Sequence, residues 1–155
     1  MLDRFLPQRI DNSYSGHGLA LWLFALVVSM KILQSLLAIF YGHFVVVAAD
    51  GIPLDTYTIA GAQAVVAVWA LSGLYRLIHY LLCVLVLVRY RSAIAFMFAL
   101  LALEFLAAQL ILHFIPLVRT GTPEGPFANR ILFALMIVGL VLSLTPHAKG
   151  VRAGS

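Results

Sequence analysis

Charge is what this chain has least of. Lys, Arg, Asp and Glu make up 10% of its 155 residues, against about 25% in soluble domains. Cysteine occurs once, as Cys83. No internal disulfide can form, and the residue reads as an inert apolar thiol. Paired-cysteine metal sites, H-E-x-x-H, G-x-S-x-G and phosphate loops are all missing. No motif therefore points to a metal centre, a hydrolase or a nucleotide enzyme, and a non-enzymatic role is expected. The chain shows no internal repeat. Its cations are scattered rather than gathered into a track, so the net charge of +4 is no sign of nucleic-acid binding.

Apolar residues fill the space that charge leaves. They are 63% of the chain, where soluble domains hold about 45–50%. A soluble protein of this size exposes a large share of its surface to water and cannot hide so much hydrocarbon. The lipid bilayer is the solvent that fits. Four apolar runs read as transmembrane helices, at about 18–48, 57–88, 93–118 and 127–145. Spanning takes about 20 residues. The first two runs exceed that and must tilt or protrude, while the fourth barely spans. The expected fold is all-α, a single integral-membrane domain over 1–155 built as a four-transmembrane-helix bundle. Ala48-Ala49 resembles a signal-peptidase site. The run before it is about twice the usual ~7–15-residue signal core, so a retained span is expected.

Local chemistry explains the breaks. Asp50-Gly51-Ile52-Pro53 is turn sequence, and Asp55 or Thr56 is expected to cap the second helix. Ser92, after Arg89-Tyr90-Arg91, is the expected N-cap of the third. Pro116 kinks or ends the third helix, the stretch from Thr120 to Pro126 cannot continue it, and Pro146 ends the fourth.

Loop cations set the orientation. With four spans both termini share a side. That side carries Arg4, Arg9, Arg89, Arg91, Lys149 and Arg152, and the other carries Arg119 and Arg130. The expected topology is a bacterial inner-membrane protein with both termini cytoplasmic. The first outer loop holds Asp50 and Asp55 and no cation, in keeping with this.

The candidate site is a charged layer. Lys31, Arg76 and Glu104 each sit alone near the middle of an apolar run. Counted from the cytoplasmic helix ends at ~1.5 Å per residue, their depths are roughly 20, 18 and 17 Å. All three fall near the midplane of a ~30 Å hydrocarbon core. A charge there costs at least ~2.5–3.5 kcal/mol, so a shared polar layer is expected.

Helical spacing assigns faces. Trp69, Ser72, Gly73, Arg76, His79, Tyr80 and Cys83 form one stripe on the second helix. Lys31, Gln34, Ser35, Ala38 and Gly42 form a second, and Glu104 with Ala107, Ala108 and Ile111 a third. Small residues beside each charge favour close helix approach. The stripes are expected to face one another, with Arg76 and Glu104 as an ion pair and Lys31 as surplus cation. Two cations against one carboxylate must be balanced. Lys31 can lose its proton, or an anion such as a lipid phosphate, a small carboxylate or a quinone carbonyl can bind. Proton movement through Glu104 and His79 is a further possibility.

The remaining polar groups are fewer. His17 and His147 lie at the cytoplasmic interface. His43 and His113 share a level in the outer third of the bilayer, where two histidines can hold haem axially. Their phases turn them away from Lys31 and Glu104, so no haem or other cofactor is expected and no metal site is assigned. Gln109 and His113 share an outer face of the third helix. That face, with His43, is expected to meet another chain, a lipid headgroup or a cofactor. The fourth helix carries no ionisable residue after Arg130, and Gly139 and Ser143 give it a weak small-residue packing face.

Function is expected to be that of an accessory, structural or interaction subunit of a larger membrane complex, its partners being lipid and other membrane chains or itself. The alternative is a small carrier or an anionic-ligand, lipid or quinone-binding protein working through the charged layer.

Overall fold

The computed structural model describes Phe5 and residues 10–145. Arg4, Arg9, Pro146, His147, Lys149 and Arg152, invoked above for topology and helix ending, lie outside the described residues. All regular structure among the described residues is helical. Four helices are long and apolar enough to cross a membrane. They are α1 (Gly18–Phe40), α2 (Ile59–Arg89), α3 (Ile94–Phe114) and α4 (Glu124–Leu144).

The boundaries follow local chemistry, not always the residues expected. His17 caps α1, its Nδ1 accepting from the Leu19 N–H at 3.2 Å. The cap of α2 is Thr58, whose hydroxyl accepts from the Gly61 N–H at 3.1 Å. Asp55 and Thr56, the expected caps, lie instead in a short 3-10 turn ahead of it. Ser92 does not cap α3. It exchanges hydrogen bonds with Asp11 and ties the N-terminal segment to the α2–α3 link. Helix α3 stops at Phe114, because Ile115 precedes Pro116 and is pushed out of the helical region, to φ −124° and ψ 78°.

The largest departure is at the end of the first apolar run. Helix α1 does not continue to residue 48. It breaks at Tyr41 (φ −125°, ψ 34°). A short helical turn, Gly42–Phe44, and a wide π turn, Val45–Ala49, follow. In the wide turn the Asp50 N–H reaches the Val45 carbonyl at 2.9 Å and the Ile52 N–H reaches Val46 at 3.0 Å. Gly51 then takes φ +70°, and a Cβ there would meet the Thr120 carbonyl at 2.8 Å. The Thr120 N–H donates to the Gly51 carbonyl at 2.8 Å, joining the two loops.

The helices share one arrangement. Helix α1 is central and packs along both α2 and α4, while α3 packs on α4. Helices α2 and α3 touch only over a few residues. The end where α1 starts and α4 finishes is closed by the His17 N–H bonded to the Leu142 carbonyl at 3.1 Å. This is called the proximal end; the end carrying the 50–58 and 115–123 loops is the distal end.

Two separate cores result. The proximal core draws on all four helices: Ala20, Phe24, Val27 and Val28, then Tyr80, Cys83 and Val86, then Ile94, Met97, Phe98 and Leu101, and lastly Leu132 and Met136. Phe24 and Phe98 meet edge to face at 5.0 Å. A Cβ on Gly139 would fall inside the Phe98 ring, so only glycine lets α4 come this close. Ser143 is buried one turn on, so Gly139 and Ser143 do form a packing face. The distal core is smaller. Val46, Ile52 and Leu54 fold back on Ala62, Val65, Val66 and Trp69 of α2 alone.

Candidate functional site

The charged layer lies between these two cores. Helix α1 brings Lys31, α2 brings Ser72, Arg76 and His79, α3 brings Glu104, and α4 brings Asn129. Close packing of α1 on α2 sets the first two in register. A Cβ on Gly73 would lie 3.0 Å from the Ala38 Cβ and 3.1 Å from the Ser35 carbonyl, and Ser35 is itself buried and bonded to the Lys31 carbonyl at 3.0 Å.

Contacts within the layer differ from the pairing expected. Arg76 and Glu104 do not form an ion pair. The Arg76 guanidinium turns back along its own helix, donating through Nε to the Ser72 carbonyl (3.1 Å) and through Nη2 to the Ser72 hydroxyl (2.8 Å). Ser72 in turn donates to the Trp69 carbonyl at 2.7 Å. Glu104 instead faces His79, with Nδ1 to Oε2 at 3.4 Å, and accepts from the Tyr80 hydroxyl at 3.4 Å. The reason is reach. One turn of α2 separates Arg76 from His79 and Tyr80, and it is at the latter level that α2 and α3 still touch. Beyond it the helices part.

Lys31 is not surplus in the sense expected. Its ammonium donates to the Asn129 side-chain oxygen at 2.7 Å. Asn129 thus brings α4, read from sequence as a packing helix with no ionisable residue after Arg130, into the layer. The available signal was a lone amide one turn inside an apolar helix. Gln34 is half-buried on the same face of α1 and makes no hydrogen bond into the layer among the described residues.

The third expected stripe does not form. Ala107, Ala108 and Ile111 are exposed, and from Leu103 to Phe114 almost every residue of α3 is exposed. Phe105, stacked on Phe133 at 4.6 Å, is the exception that holds α3 to α4. Glu104 is consequently 38% exposed and His79 26%. The His79 Nε2 atom, by contrast, is buried with no hydrogen-bond partner. Gln109 and His113 are exposed too, away from the core of this chain. His113 has only the ring of Phe114 beside it among its ring contacts. His43 is exposed at the distal end and lines an open groove of about 610 Å³ with Gln63, Tyr57, Asp55 and the apolar face of Val66, Ala67 and Ala70. It is not brought to His113. Among the described residues no group of three or more His, Cys, Asp or Glu gathers as a metal site would need.

A second polar group lies distal to the layer, and the sequence reading treated its members Asp50 and Arg119 only as loop residues. The Trp69 side chain, Arg119 and Arg76 all favour the charged form of the Asp50 carboxyl. Burial raises its carboxyl above the usual range, and the two guanidinium groups oppose that rise. Arg119 approaches from the α3–α4 loop, with its Nε buried and lacking a hydrogen-bond partner. The polar groups therefore run from the distal loops down through Asp50, Arg76, Lys31 and Glu104, and stop at Tyr80. Below that level Phe24, Phe98, Leu101 and Met136 close the interior.

No protein-family model, curated protein or solved structure matches the chain.

Proposed function

We propose that this is a multi-pass bacterial inner-membrane protein with both termini cytoplasmic, acting as a non-enzymatic interaction subunit of a larger membrane assembly. One observation carries the reading. The distal half of α3 leaves the bundle, and it takes Gln109 and His113 with it into what would otherwise be lipid. Polar side chains facing hydrocarbon are costly and are normally covered by another helix or by protein lining a cavity. The exposed Ala107 and Ala108 beside them permit a second helix to approach closely. A carrier would need a polar route to both ends, and the apolar proximal core gives no support to one.

Photo-crosslinking in native membranes tests this. A crosslinker at Gln109 should give a discrete protein adduct, and one at Val141, an exposed position on α4, should not. Lipid adducts alone at both positions would sink the reading. Orientation is tested by reporter fusions at Gly121 and at each terminus. A reporter active only in the periplasm should work at Gly121, and activity at Ser155 would overturn the topology.

A further inference from the structure

Independently of the partner reading, we infer that the open distal groove between His43, the turn at Leu54–Thr56 and α2 seats a distal-leaflet phospholipid with an ammonium headgroup, the ammonium resting on Asp55.

The groove exists because α1 breaks. The helix ends at Tyr41, and Gly42 stays tight on α2, where a Cβ would lie 3.2 Å from a Val66 methyl. The break leaves His43 exposed on the groove. The 3-10 turn brings Asp55 and the following Tyr57 to the same space. Its volume of about 610 Å³ lies within the ~300–1,000 Å³ of ligand pockets.

The first ground is the order of groups with depth. Asp55 and Tyr57 precede α2, where the chain enters the apolar span. Gln63 lies roughly 6 Å below the start of α2, and Ala70 roughly 17 Å below it. His43, next to Gly42, is near the level of Val66. The polar zone of one leaflet is roughly 5–7 Å thick. A glycerophospholipid presents a charged head, then ester carbonyls, then acyl chain. The groove offers a carboxylate and a phenol, then an amide and an imidazole that can each donate an N–H, then the apolar floor of Val66, Ala67 and Ala70.

The second ground is that these polar groups have no other use. Among the described residues, the side chains of His43, Asp55, Tyr57 and Gln63 hydrogen-bond to nothing in this chain. Polar groups at the edge of hydrocarbon are costly unless something covers them. The third ground is charge. No lysine or arginine occurs between Lys31 and Arg76. Among the described residues Asp55 is the one acidic side chain lining the groove, and no lysine or arginine lines it. A carboxylate beside an aromatic ring suits an ammonium and repels an anionic head.

The test is thermal melting of the full chain in maltoside micelles, titrated with phosphatidylethanolamine, phosphatidylglycerol or diacylglycerol of the same acyl chains. Phosphatidylethanolamine should raise Tm saturably and the other two should not. Asp55→Asn should raise its half-saturating concentration about fivefold, the upper end for an exposed ion pair. Glu124→Gln, an exposed carboxylate on α4 outside the groove, should leave it unchanged. Ala67→Trp fills the floor and should abolish the rise. Asp55→Lys should reverse the preference, so that phosphatidylglycerol now raises Tm, a gain that misfolding cannot mimic. A Tm insensitive to every lipid, as expected if a protein helix covers the groove instead, would overturn the assignment. So would equal effects of the three lipids, equal weakening by Asp55→Asn and Glu124→Gln, an undiminished rise in Ala67→Trp, or an unchanged preference in Asp55→Lys.

Discussion

The two halves of this bundle solve different problems. The proximal half is assembled from four helices and buries Phe24, Phe98 and Met136 almost completely. The distal half is held by α1 on α2 and by a folded-back segment on α2, and α3 stands apart from it. In a bilayer, burying leucine or phenylalanine against another helix replaces one apolar contact with another, so helix association rests on close packing and on polar contacts. The proximal half has the close packing, through Gly139 under Phe98. The distal half has the polar groups, and its close helix packing is that of α1 on α2, at Gly73 against Ala38. A membrane bundle can therefore be packed by four helices at one end and polar at the other, with the charged layer at the boundary.

The sharpest way to break this comparison is to overpack each half. Gly139→Leu forces a side chain into the Phe98 ring and should destabilise the protein by about 3 kcal/mol, at the upper end of overpacking costs. Ala107→Leu adds the same bulk to the exposed distal half of α3 and should stay within about 0.5 kcal/mol. Denaturation in detergent reads both. Similar losses would mean that the distal half of α3 is packed after all.

The next effect in size tests the boundary. Asn129→Leu should cost about 2 kcal/mol, because it strands the Lys31 ammonium inside a span without its acceptor. Lys31→Met should cost much less, since an unpaired amide is cheaper to leave than an unpaired charge. If the lysine variant is the worse of the two, Asn129 is not the partner that holds Lys31.

A smaller effect distinguishes the observed pairing from the expected one. A double-mutant cycle on His79 and Glu104 should give a coupling of about 0.5–1 kcal/mol, modest because both side chains are partly exposed. The cycle on Arg76 and Glu104 should give a coupling near zero. The reverse ranking would restore the Arg76–Glu104 pair.

These residues also show what was legible before the structure. Four spans were legible because each is an apolar run closed by turn chemistry, and the stripe from Trp69 to Cys83 does face inward. Depth along a helix was legible too, since Lys31, Arg76 and Glu104 all border the same zone. Partner choice was not. Helical phase says which way a side chain points from its own axis, but not how far the next axis lies. Glu104 was matched to Arg76 on depth and helical spacing, whereas α2 and α3 meet one turn lower, at His79 and Tyr80. The small residues Ala107 and Ala108 mark a face fit for close approach, and nothing in their identity says that the approaching helix is absent from this chain. Asn129 and Arg119 were passed over because each belongs to an element otherwise explained as packing or loop. The break at Tyr41 had no proline or helix-ending glycine pattern strong enough to announce it, since the following Gly42 sits inside a helical turn.

The smallest effect expected concerns Asp50, the carboxylate at the distal end of the polar column. Its folded-state pKa is raised by burial, and Arg119 and Arg76 only partly offset that rise. The folded protein therefore holds the Asp50 proton more tightly than the unfolded chain does. By linkage, the contribution of this residue to stability is greatest below the ordinary carboxylate pKa and falls as pH rises through the raised folded value. Asparagine at this position stays neutral and keeps nearly the same shape. The stability difference between Asp50→Asn and the parent should be flat at acid pH, turn in favour of the variant as pH climbs above the reference value of 3.8, and level off once pH has passed the raised folded value. In an Arg119→Gln background the same difference should be larger, because one of the two opposing charges is gone. Urea or thermal melts between pH 3 and 7 read the two curves. A difference that instead favours the parent as pH rises would mean that the guanidinium groups outweigh burial at Asp50.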